Sequence, residues 1–382
     1  MKLSSDRILT THVGSLPRSA PVCELLIAKE RGKPYDGEAF ERAMREEVAA
    51  VVRRQVATGI DVVSDGETAK IGYSTYMQER LTGFGGHVDR KMALDLADYP
   101  ELRKKLAVIM GPQEFNRASC IGPVAVKTLK PLERDLANFK AALPGSGAAE
   151  GFLNAASPGV VSAFQLNHYY KTHAEYVGAI AAAMKPEYDA IVKAGFLLQV
   201  DCPDLAMARH TGFQDLSEQD FIARTEENVA ALNTALADIP ADRVRIHICW
   251  GNYEGPHDFD IDLAKVLPSI LKVKAQAIAF EAANPRHDHE WVVWKQARLP
   301  DDKLLIPGVL DTCSNYVEHP ELVAQRLERY ADIVGRERVL AGTDCGFGTF
   351  AGYGKVDPAV AYKKLKAMVE GAAIASKRLW KR

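Results

Sequence analysis

Short apolar runs alternate with longer amphipathic stretches through the second half of the chain. The apolar runs predict strands at 197–201, 244–249, 275–281, 304–311 and 339–343. Between them, apolar residues recur at helical spacing near 217–237, 261–271, 288–297, 319–333 and 358–378. Strands that alternate with helices in this way predict a parallel sheet with right-handed crossovers.

The first half of the chain is less regular. Its pattern predicts a helix over about 37–58 and strands at 8–13, 60–64 and 120–128. Residues from about 130 to 172 break the alternation. We expect an insertion there, in the form of a hairpin or a lid.

The strands together predict the α/β fold class, as a single (β/α)8 TIM barrel with an insertion after the third strand. One catalytic domain would then cover residues 1–382. A doubly wound open sheet is the alternative. No glycine-rich dinucleotide fingerprint follows the first strand, and this favours the barrel.

The composition is that of a globular protein without general attraction for polyanions. The chain has 382 residues, 47% of them hydrophobic, and a formal net charge of −2. We therefore expect neither nucleic acid nor a membrane surface as a partner. The start of the chain, Met-Lys-Leu-Ser-Ser-Asp-Arg, lacks the apolar core of a signal peptide. The six cysteines show no disulfide framework, which predicts reduced thiols in a cytoplasmic protein.

Most of the predicted strands end in polar residues. His247 and Cys249 are two positions apart at the end of one strand, so their side chains would point to the same face. Glu281 and Cys345 close two later strands. Other strands are followed by His12, Ser15, Asp65, Glu67, Asp201, Asp311, Cys313 and Asp344. Because the strand ends of a parallel barrel meet at one mouth, we expect an active site there.

The residues best suited to a metal are His247, Cys249, Glu281 and Cys345. Two thiolates, one imidazole and one carboxylate suit tetrahedral Zn²⁺. Zinc lowers the pKa of a thiol from its ordinary value of about 8.5, so its expected role is to activate a thiol substrate. The alternative is four buried residues with no common role, since a buried cysteine often behaves as a small hydrophobic residue.

These residues resemble motifs of the C-terminal catalytic barrel of cobalamin-independent methionine synthase. The resemblance runs in chain order from about residue 8 to residue 350. It includes the Thr-Thr-His-Val-Gly-Ser-Leu-Pro-Arg segment at 10–18, Asp65-Gly66-Glu67, Gly122-Pro123-Val124, Asp201-Cys202-Pro203, His247-Ile248-Cys249, Glu281 and Asp344-Cys345-Gly346. It implies a zinc-dependent transfer of a methyl or alkyl group to a small-molecule thiol such as homocysteine.

The same resemblance implies roles for individual residues. Ser15 and Glu67 would hold the amino-acid part of homocysteine. Asp201 would bind its ammonium group and is also a catalytic candidate. Cys313 stands where the family has a proton-relaying histidine, and it is retained as a catalytic candidate. Leu129 stands where the family has a tryptophan beside the folate ring. These departures leave the identity of the methyl donor open, including whether it is a folate.

The chain also resembles epoxyalkane:coenzyme M transferase in its stand-alone length and its Gly-Ser-Leu-Pro-Arg start. That resemblance implies an epoxide as the donor and coenzyme M as the thiol, with Arg18 or Lys70 in contact with the sulfonate. The expected insertion carries the polar and aromatic residues Asn167, His168, Tyr169 and Tyr170. A histidine or tyrosine among them, such as His168, would protonate the leaving atom.

Other polar residues are expected near the site. Substrate-binding roles are assigned to three residues that follow strands, namely His12, Trp250 and Asn252. Residues His287 and His289 are two apart at a helix start and do not face each other, so we expect contact roles rather than metal binding. Exposed positions are expected for His257 and His319.

A different class of function stays open at this stage. A metal-free barrel similar to uroporphyrinogen decarboxylase would place polar residues at the same strand ends without zinc. Stoichiometric zinc in the purified protein would exclude that class. The sequence also leaves open whether the chain forms a homo-oligomer.

Overall fold

The computed structural model describes residues 1–86, 88, 91–110 and 118–381. Its strands are β1 (Leu9–Thr10), β2 (Val62–Ser64), β3 (Phe84–Gly85), β4 (Ser119–Cys120), β5 (Glu150–Ala156), β6 (Leu197–Asp201), β7 (Val244–Ile248), β8 (Ala277–Phe280), β9 (Leu304–Pro307) and β10 (Leu340–Ala341). Its α-helices are α1 (Ala20–Glu30), α2 (Gly37–Thr58), α3 (Met77–Arg80), α4 (Leu94–Ala97), α5 (Pro100–Met110), α6 (Lys130–Ala142), α7 (Pro158–Phe164), α8 (His173–Lys193), α9 (Glu218–Ala235), α10 (Leu263–Ile270), α11 (Trp291–Gln296), α12 (Pro320–Val334) and α13 (Pro358–Leu379).

A curled parallel sheet forms the centre of this mixed α/β fold. Parallel pairing joins six strands in the order β2-β5-β6-β7-β8-β9. A separate parallel pair consists of β1 and β10. An isolated parallel bridge joins Gly308, after β9, to Gly342, after β10. On the other side, the Asp61 N–H donates to the Thr10 carbonyl at 3.1 Å. The pair β1–β10 therefore contacts both edges of the six-stranded sheet.

A small apolar cluster draws residues from the strands of both sheets. It consists of Leu9, Val62, Phe152, Leu197, Ala277, Ala279, Leu304, Ile306 and Leu340. Strand β7 contributes Arg245, whose guanidinium lies 4.1 Å from the centre of the Phe152 ring. The Arg245 side chain donates to the Thr11 hydroxyl and to the His12 carbonyl. This buried arginine therefore ties β7 to the segment that follows β1.

A buried ion cluster holds the segment after β2 against α6 and α8. Arg80 pairs with Asp135 at 2.7 Å and with Glu187 at 2.9 Å. The Tyr76 hydroxyl donates to the same glutamate at 2.7 Å. Because buried charges are tolerated only when they are paired, this cluster fixes the position of the segment.

The alternation predicted for the second half of the chain is confirmed. Strand β6 spans the predicted 197–201, and β7 to β10 lie within the predicted runs. The helix predicted over about 37–58 is α2, which Gly59 ends with a left-handed φ of 102°. Among the described residues, no helix is long and apolar enough to cross a membrane.

The prediction of the third strand is wrong. Within 120–128, only Cys120 belongs to a strand, and that strand, β4, pairs antiparallel with β3. The position beside β2 is occupied by β5. Residues 130–172 are therefore not an insertion after the third strand, since they contain α6, β5 and α7. The irregular excursion precedes this strand and lies between β2 and α6.

Gly14 provides a test of the packing around the strand ends. Its φ is +139°, and an added Cβ would lie 2.2 Å from Asn154 Oδ1. We expect Gly14→Ala to lower the free energy of unfolding by about 3 kcal/mol, because backbone strain and a steric clash add. Gly145 has a φ of +71° and open space around its Cβ position, so Gly145→Ala is the matched control. We expect about 1 kcal/mol there. Equal losses in urea denaturation would contradict the close packing of Gly14.

Candidate metal centre and substrate cavity

Three potential metal ligands meet at the carboxyl ends of β7 and β10. They are His247, Cys249 and Cys345, all buried, and their ligand atoms lie within 4.8 Å of one another. The two Sγ atoms are 3.2 Å apart. His247 belongs to β7, and Cys249 follows the end of that strand. Their spacing of two on an extended segment brings both side chains to one cluster, as the sequence predicts.

Glu281 lies beside these three residues, directly after β8. Its Oε1 is 3.4 Å from Cys345 Sγ and accepts a hydrogen bond from the Trp250 N–H at 2.9 Å. Its Oε2 accepts from Asn284 Nδ2 at 2.8 Å. The carboxylate is therefore oriented by donors on both oxygens. To bind a metal ion, the carboxylate would give up one of these hydrogen bonds.

Two neighbours orient the His247 ring. The Asp344 carbonyl oxygen lies 3.0 Å from Nε2, and Asp201 Oδ1 lies 3.6 Å from Nδ1. Metal-ligating histidines usually donate their second ring N–H to a carbonyl or carboxylate, which fixes the ring. Either neighbour can support one nitrogen of His247 while the other nitrogen binds a metal ion.

The Asp344 carboxylate holds the turn that follows β8. It accepts hydrogen bonds, at 2.8 to 2.9 Å, from the backbone N–H groups of Ala282, Ala283 and Asn284. Burial and the nearby Glu281 raise the pKa of Asp344 well above its ordinary value. The hydrogen bonds from this turn to Asp344 position Glu281 beside Cys345. The sequence pattern placed Asp344 at a strand end but gave it no role.

Burial disfavours the charged form of the two thiols. The contact with Cys345 favours the Cys249 thiolate, but burial and Glu281 outweigh it and raise the pKa of Cys249 to about 11. Burial likewise raises the pKa of Cys345 well above its ordinary value. Coordination to a divalent cation would reverse these shifts, because a coordinating thiol is deprotonated.

The donor set fits zinc. Two sulfur atoms, one imidazole and an adjacent carboxylate are the ligand types of tetrahedral zinc sites. Magnesium and calcium prefer shells of oxygen atoms, which this cluster does not offer among its described residues.

A cavity of about 650 Å³ adjoins the cluster. Its walls include all three potential ligands, and they also include two carboxylates, Glu67 and Asp201. Much of the remaining wall is apolar or aromatic and contains Tyr73, Met92, Leu96, Phe164, Phe350 and Tyr353. One cavity therefore combines soft metal ligands, two acids and an apolar chamber.

Glu67 occupies a strained position in the turn after β2. Its φ is 52°, and Asp65 Oδ1 accepts its backbone N–H at 2.9 Å. Burial raises the pKa of Glu67 to about 7, although Lys70, at 3.5 Å from its Oε2, acts in the opposite direction. Glu67 therefore changes its charge near neutral pH. Ser15 lines the same cavity.

Two amide side chains orient Asp201. Asn154 Nδ2 donates to Asp201 Oδ2 at 3.0 Å, and Gln199 Nε2 donates to Oδ1 at 2.9 Å. The sequence interpretation missed both residues. Gln199 precedes Asp201 by two positions on β6, and this spacing could have revealed it. Asn154 lies on β5, the strand that the hydrophobic pattern did not identify.

Two of the predicted substrate contacts instead support loops. His12 Nε2 contacts Gln55 at 2.7 Å, its Nδ1 accepts the Gly14 N–H, and burial lowers the pKa of His12 to about 4. The Arg18 guanidinium donates to the carbonyl oxygens of Glu67, Thr68, Lys70 and Gly348. Neither residue is among the described residues that line the cavity, so both assignments are corrected.

The roles expected of Trp250 and His168 also need correction. Trp250 is fully buried, and its indole N–H donates to the Ile261 carbonyl at 2.7 Å. It supports the loop after β7 and does not form a cavity wall. His168 is exposed and is likewise not among the described lining residues. The position of His168 does not suit a proton donor in this cavity.

Asn252 and Cys313 contact each other beside the cavity. Asn252 lines it and donates to the Gly346 carbonyl and to the Thr349 hydroxyl. Cys313 Sγ donates to Asn252 Oδ1 at 3.3 Å, and burial raises the pKa of this thiol far above its ordinary value. Cys313 is not among the described lining residues. These contacts indicate a role in holding loops together rather than in catalysis.

His257 and His287 follow the strands β7 and β8, and their environments differ from those predicted. His287 Nε2 lies 3.1 Å from Asp260, and its Nδ1 lies 3.1 Å from Glu290. Burial lowers the pKa of His287, but these acids outweigh burial and raise it to about 10. Its ring lies 4.4 Å from that of Trp250, so it supports the loop beside the ligands. The expectation that His257 is exposed is wrong, because it is buried against Asp260.

Comparison with known proteins identifies a family whose model matches most of the chain. Residues 8–111 and 160–373 match the family described as the catalytic domain of cobalamin-independent synthases. Methionine synthases of Saccharolobus solfataricus and Thermococcus kodakarensis are 25% and 24% identical to this chain; the alignments cover 97% of it and 95% and 94% of the relatives.

Solved structures show the same fold. The B12-independent methionine synthase from Shewanella sp. W3-18-1, in complex with selenomethionine, gives a TM-score of 0.73 at 20% identity, covering 98% of this chain and 100% of that one. A putative vitamin-B12-independent methionine synthase from Listeria monocytogenes gives a TM-score of 0.65 at 19% identity, covering 96% and 98% of the two chains.

Serine substitutions test the cluster as a metal site. We expect wild-type protein to bind about one zinc per chain, and Cys249→Ser and Cys345→Ser to lose most of it, because each removes a sulfur ligand. Cys313→Ala is the control and should keep its zinc, since its Sγ bonds to Asn252. Elemental analysis of reduced protein gives the result. Full zinc content in both serine variants, or its loss in the control, would contradict this assignment.

Proposed function

This chain belongs to the cobalamin-independent methionine synthase family, and we propose that it transfers a methyl group to the sulfur of homocysteine with zinc as its cofactor. The supporting observation is a single cavity with two kinds of polar wall. Soft ligands come from His247, Cys249 and Cys345, and carboxylates come from Glu67 and Asp201. An amino acid that carries a thiol needs a metal ion for its sulfur and carboxylates for its ammonium group. The methionine synthases among the relatives support homocysteine as the acceptor.

Zinc, when bound, would keep the substrate thiol in its thiolate form at neutral pH. His247, Cys249 and Cys345 would hold the metal, with Glu281 as the ligand that can exchange. Asp201, oriented by its two amide donors, would bind the ammonium group of homocysteine. Glu67 and Ser15 would complete the contacts to the amino-acid part. These residues would aim the sulfur into the apolar part of the cavity, where the methyl donor would lie.

We further propose that residues 1–382 form one catalytic domain and that the curled sheet closes into a (β/α)8 barrel. The bridge from Gly308 to Gly342 and the bond from Asp61 to Thr10 support closure. The apolar cluster shared by β1, β10 and the six-stranded sheet also supports it. A closed barrel would bring every strand end to the same mouth. The cytoplasmic location remains a prediction from the reduced cysteines.

The alternative with an epoxide and coenzyme M finds less support. Arg18, one candidate for the sulfonate contact, donates to four backbone carbonyl groups. Lys70, the other candidate, donates to the Asn154 carbonyl at 2.8 Å and lies 3.5 Å from Glu67. The relatives reported above are described as methionine synthases. The soft ligand set weighs against a metal-free decarboxylase.

Activation of the substrate thiol can be tested with a methyl donor that the protein does not need to recognise. Zinc-loaded and chelator-treated protein would be mixed with iodomethane and either homocysteine or coenzyme M, and the thioethers measured by mass spectrometry. We expect only the zinc-loaded protein to accelerate methylation, and only of homocysteine. No acceleration, or acceleration of coenzyme M alone, would contradict the proposal.

The pH dependence of this reaction tests the role of Glu67. Its pKa of about 7 means that it loses its negative charge as the pH falls through neutrality. We therefore expect kcat/KM for homocysteine to fall below about pH 7, because the neutral carboxyl group no longer attracts an ammonium group. Glu67→Gln should be slow throughout and lack this acid limb. The exposed Glu46→Gln is the control and should keep it. An unchanged acid limb in Glu67→Gln would contradict the role.

A further inference from the structure

Glu281 is set apart from the three other candidate ligands. The ligand atoms of His247, Cys249 and Cys345 lie within 4.8 Å of one another, and Glu281 is not part of that group. These three residues line the cavity, whereas Glu281 is buried and is not among the described lining residues. A metal ion held by the three residues would therefore be open to a substrate from the cavity, while Glu281 would reach the ion from another direction.

Three N–H groups hold the Glu281 carboxylate in this position. Its Oε1 accepts from the backbone N–H groups of Trp250 at 2.9 Å and Gly251 at 3.4 Å. Its Oε2 accepts from Asn284 Nδ2 at 2.8 Å. Hydrogen bonds to a charged acceptor are about twice as strong as those between neutral groups. The carboxylate therefore has a binding site of its own within the protein, separate from the metal.

Asn284 is the side chain on which this site depends. Cys345 Sγ also lies 3.4 Å from Glu281 Oε1, but as a metal ligand it would be a thiolate and could not donate. The N–H groups of Trp250 and Gly251 belong to the backbone. Among the described residues, Asn284 is therefore the one side-chain donor that would stay available to Glu281 in the metal-loaded protein.

The Asn284 amide is itself fixed in orientation. Its Oδ1 accepts the Arg286 N–H at 3.0 Å, and its Nδ2 points toward Glu281 and, at 3.2 Å, toward Asp344 Oδ2. The bond to the Arg286 N–H is a turn contact that an aspartate would make equally well. The two bonds from Nδ2 need a donor, and an ionised aspartate has none. The turn alone therefore does not account for asparagine at this position.

We propose, on the basis of the methyl transfer proposed above, that Asn284 is a positioning residue that holds the displaced Glu281 carboxylate and thereby favours entry of the substrate thiol. As the homocysteine sulfur takes its place on the metal, Glu281 exchanges a metal–oxygen bond for hydrogen bonds whose donors are already in place. The proton of the thiol is released to solvent. Without the Asn284 donor, a buried carboxylate oxygen would lack a partner in the substrate-bound state alone.

Two equilibrium constants test this proposal. In Asn284→Leu, the homocysteine affinity of zinc-loaded protein, measured by calorimetry, should fall about tenfold, because the displaced carboxylate loses a charge-assisted hydrogen bond. The zinc affinity of the substrate-free variant, measured by competition with a chelator, should stay the same or increase, because Glu281 then favours the metal. A structural defect would weaken both. Unchanged homocysteine affinity, or a parallel loss of zinc affinity, would overturn the proposal.

Asn284→Asp separates the donor from the turn. It keeps the acceptor for the Arg286 N–H and lacks the donor, so it should also bind homocysteine more weakly and zinc no less tightly. Homocysteine binding equal to that of the wild type would overturn the proposal.

Asn233 provides the matched control. Its Nδ2 donates to the Lys272 carbonyl at 2.9 Å, its Oδ1 accepts the Lys274 N–H at 2.8 Å, and it is not among the described lining residues of the cavity. Asn233→Leu should leave both affinities unchanged. A loss of homocysteine affinity equal to that of Asn284→Leu would show a general effect of losing an amide and would overturn the proposal.

X-ray absorption at the zinc edge gives a spectroscopic readout. At a homocysteine concentration that brings the wild-type shell to three sulfurs, Asn284→Leu should retain two sulfurs and a carboxylate oxygen. A third sulfur in the variant at the same concentration would contradict the role of Asn284.

The iodomethane reaction separates failure of this proposal from failure of the proposed function. If the zinc-loaded wild-type protein accelerates that reaction and Asn284→Leu binds homocysteine as tightly as the wild type, only the role of Asn284 fails. If the wild-type protein shows no acceleration, the proposed function fails, and the role of Asn284 fails with it.

Discussion

The arrangement of the site depends on one buried carboxylate, that of Asp344. It accepts backbone N–H groups from three consecutive residues after β8 and directly precedes Cys345. It therefore links the end of β8, in the six-stranded sheet, to the segment after β10, which belongs to the separate pair. Glu281 and Cys345 reach each other because this link holds. The backbone donors also offset part of the cost of burying this polar group.

Buried acidic groups occur throughout the site, and each needs donors or a positive charge to compensate its burial. Carboxylates at Glu67, Asp201 and Glu281 are buried, and burial raises the pKa values of the two thiols of the same site. The raised pKa values favour the protonated form of both thiols. Asp201 accepts hydrogen bonds from the neutral donors Asn154 and Gln199, and Glu67 lies 3.5 Å from Lys70. A divalent cation would compensate the negative charge and make thiolates available at neutral pH. The site is therefore suited to zinc on grounds of charge as well as ligand type.

Sequence reasoning succeeded where a local rule determines the result. The period of two in β7 and the position of Cys345 after a strand predicted the ligand cluster that the structure brings together. It failed for the third strand. Glu-Gly-Phe-Leu-Asn-Ala-Ala at 150–156 lacks β-branched residues, whereas 120–128 is rich in Val and Ile but contains Gly122-Pro123. Pairing with β2 and β6 decides the strand, and no local window contains that information.

Burial and side-chain direction were also out of reach from sequence. His12, Trp250 and Arg18 all follow strands, yet their polar atoms bond to backbone or to Gln55 and do not face the cavity. His168 belongs to a surface segment. The number of backbone carbonyl groups around Arg18, for example, depends on three loops that are distant in sequence. The sequence therefore predicted which side chains lie together more reliably than which side chains face the cavity.

X-ray absorption at the zinc edge, with and without homocysteine, tests the central claim most directly. Two protein sulfurs should bind the metal in the resting protein. Homocysteine should add a third sulfur at about 2.3 Å, because its thiol enters the shell in place of the carboxylate. Absence of zinc, or a shell that homocysteine leaves unchanged, would contradict the claim that this protein activates a thiol on a metal ion.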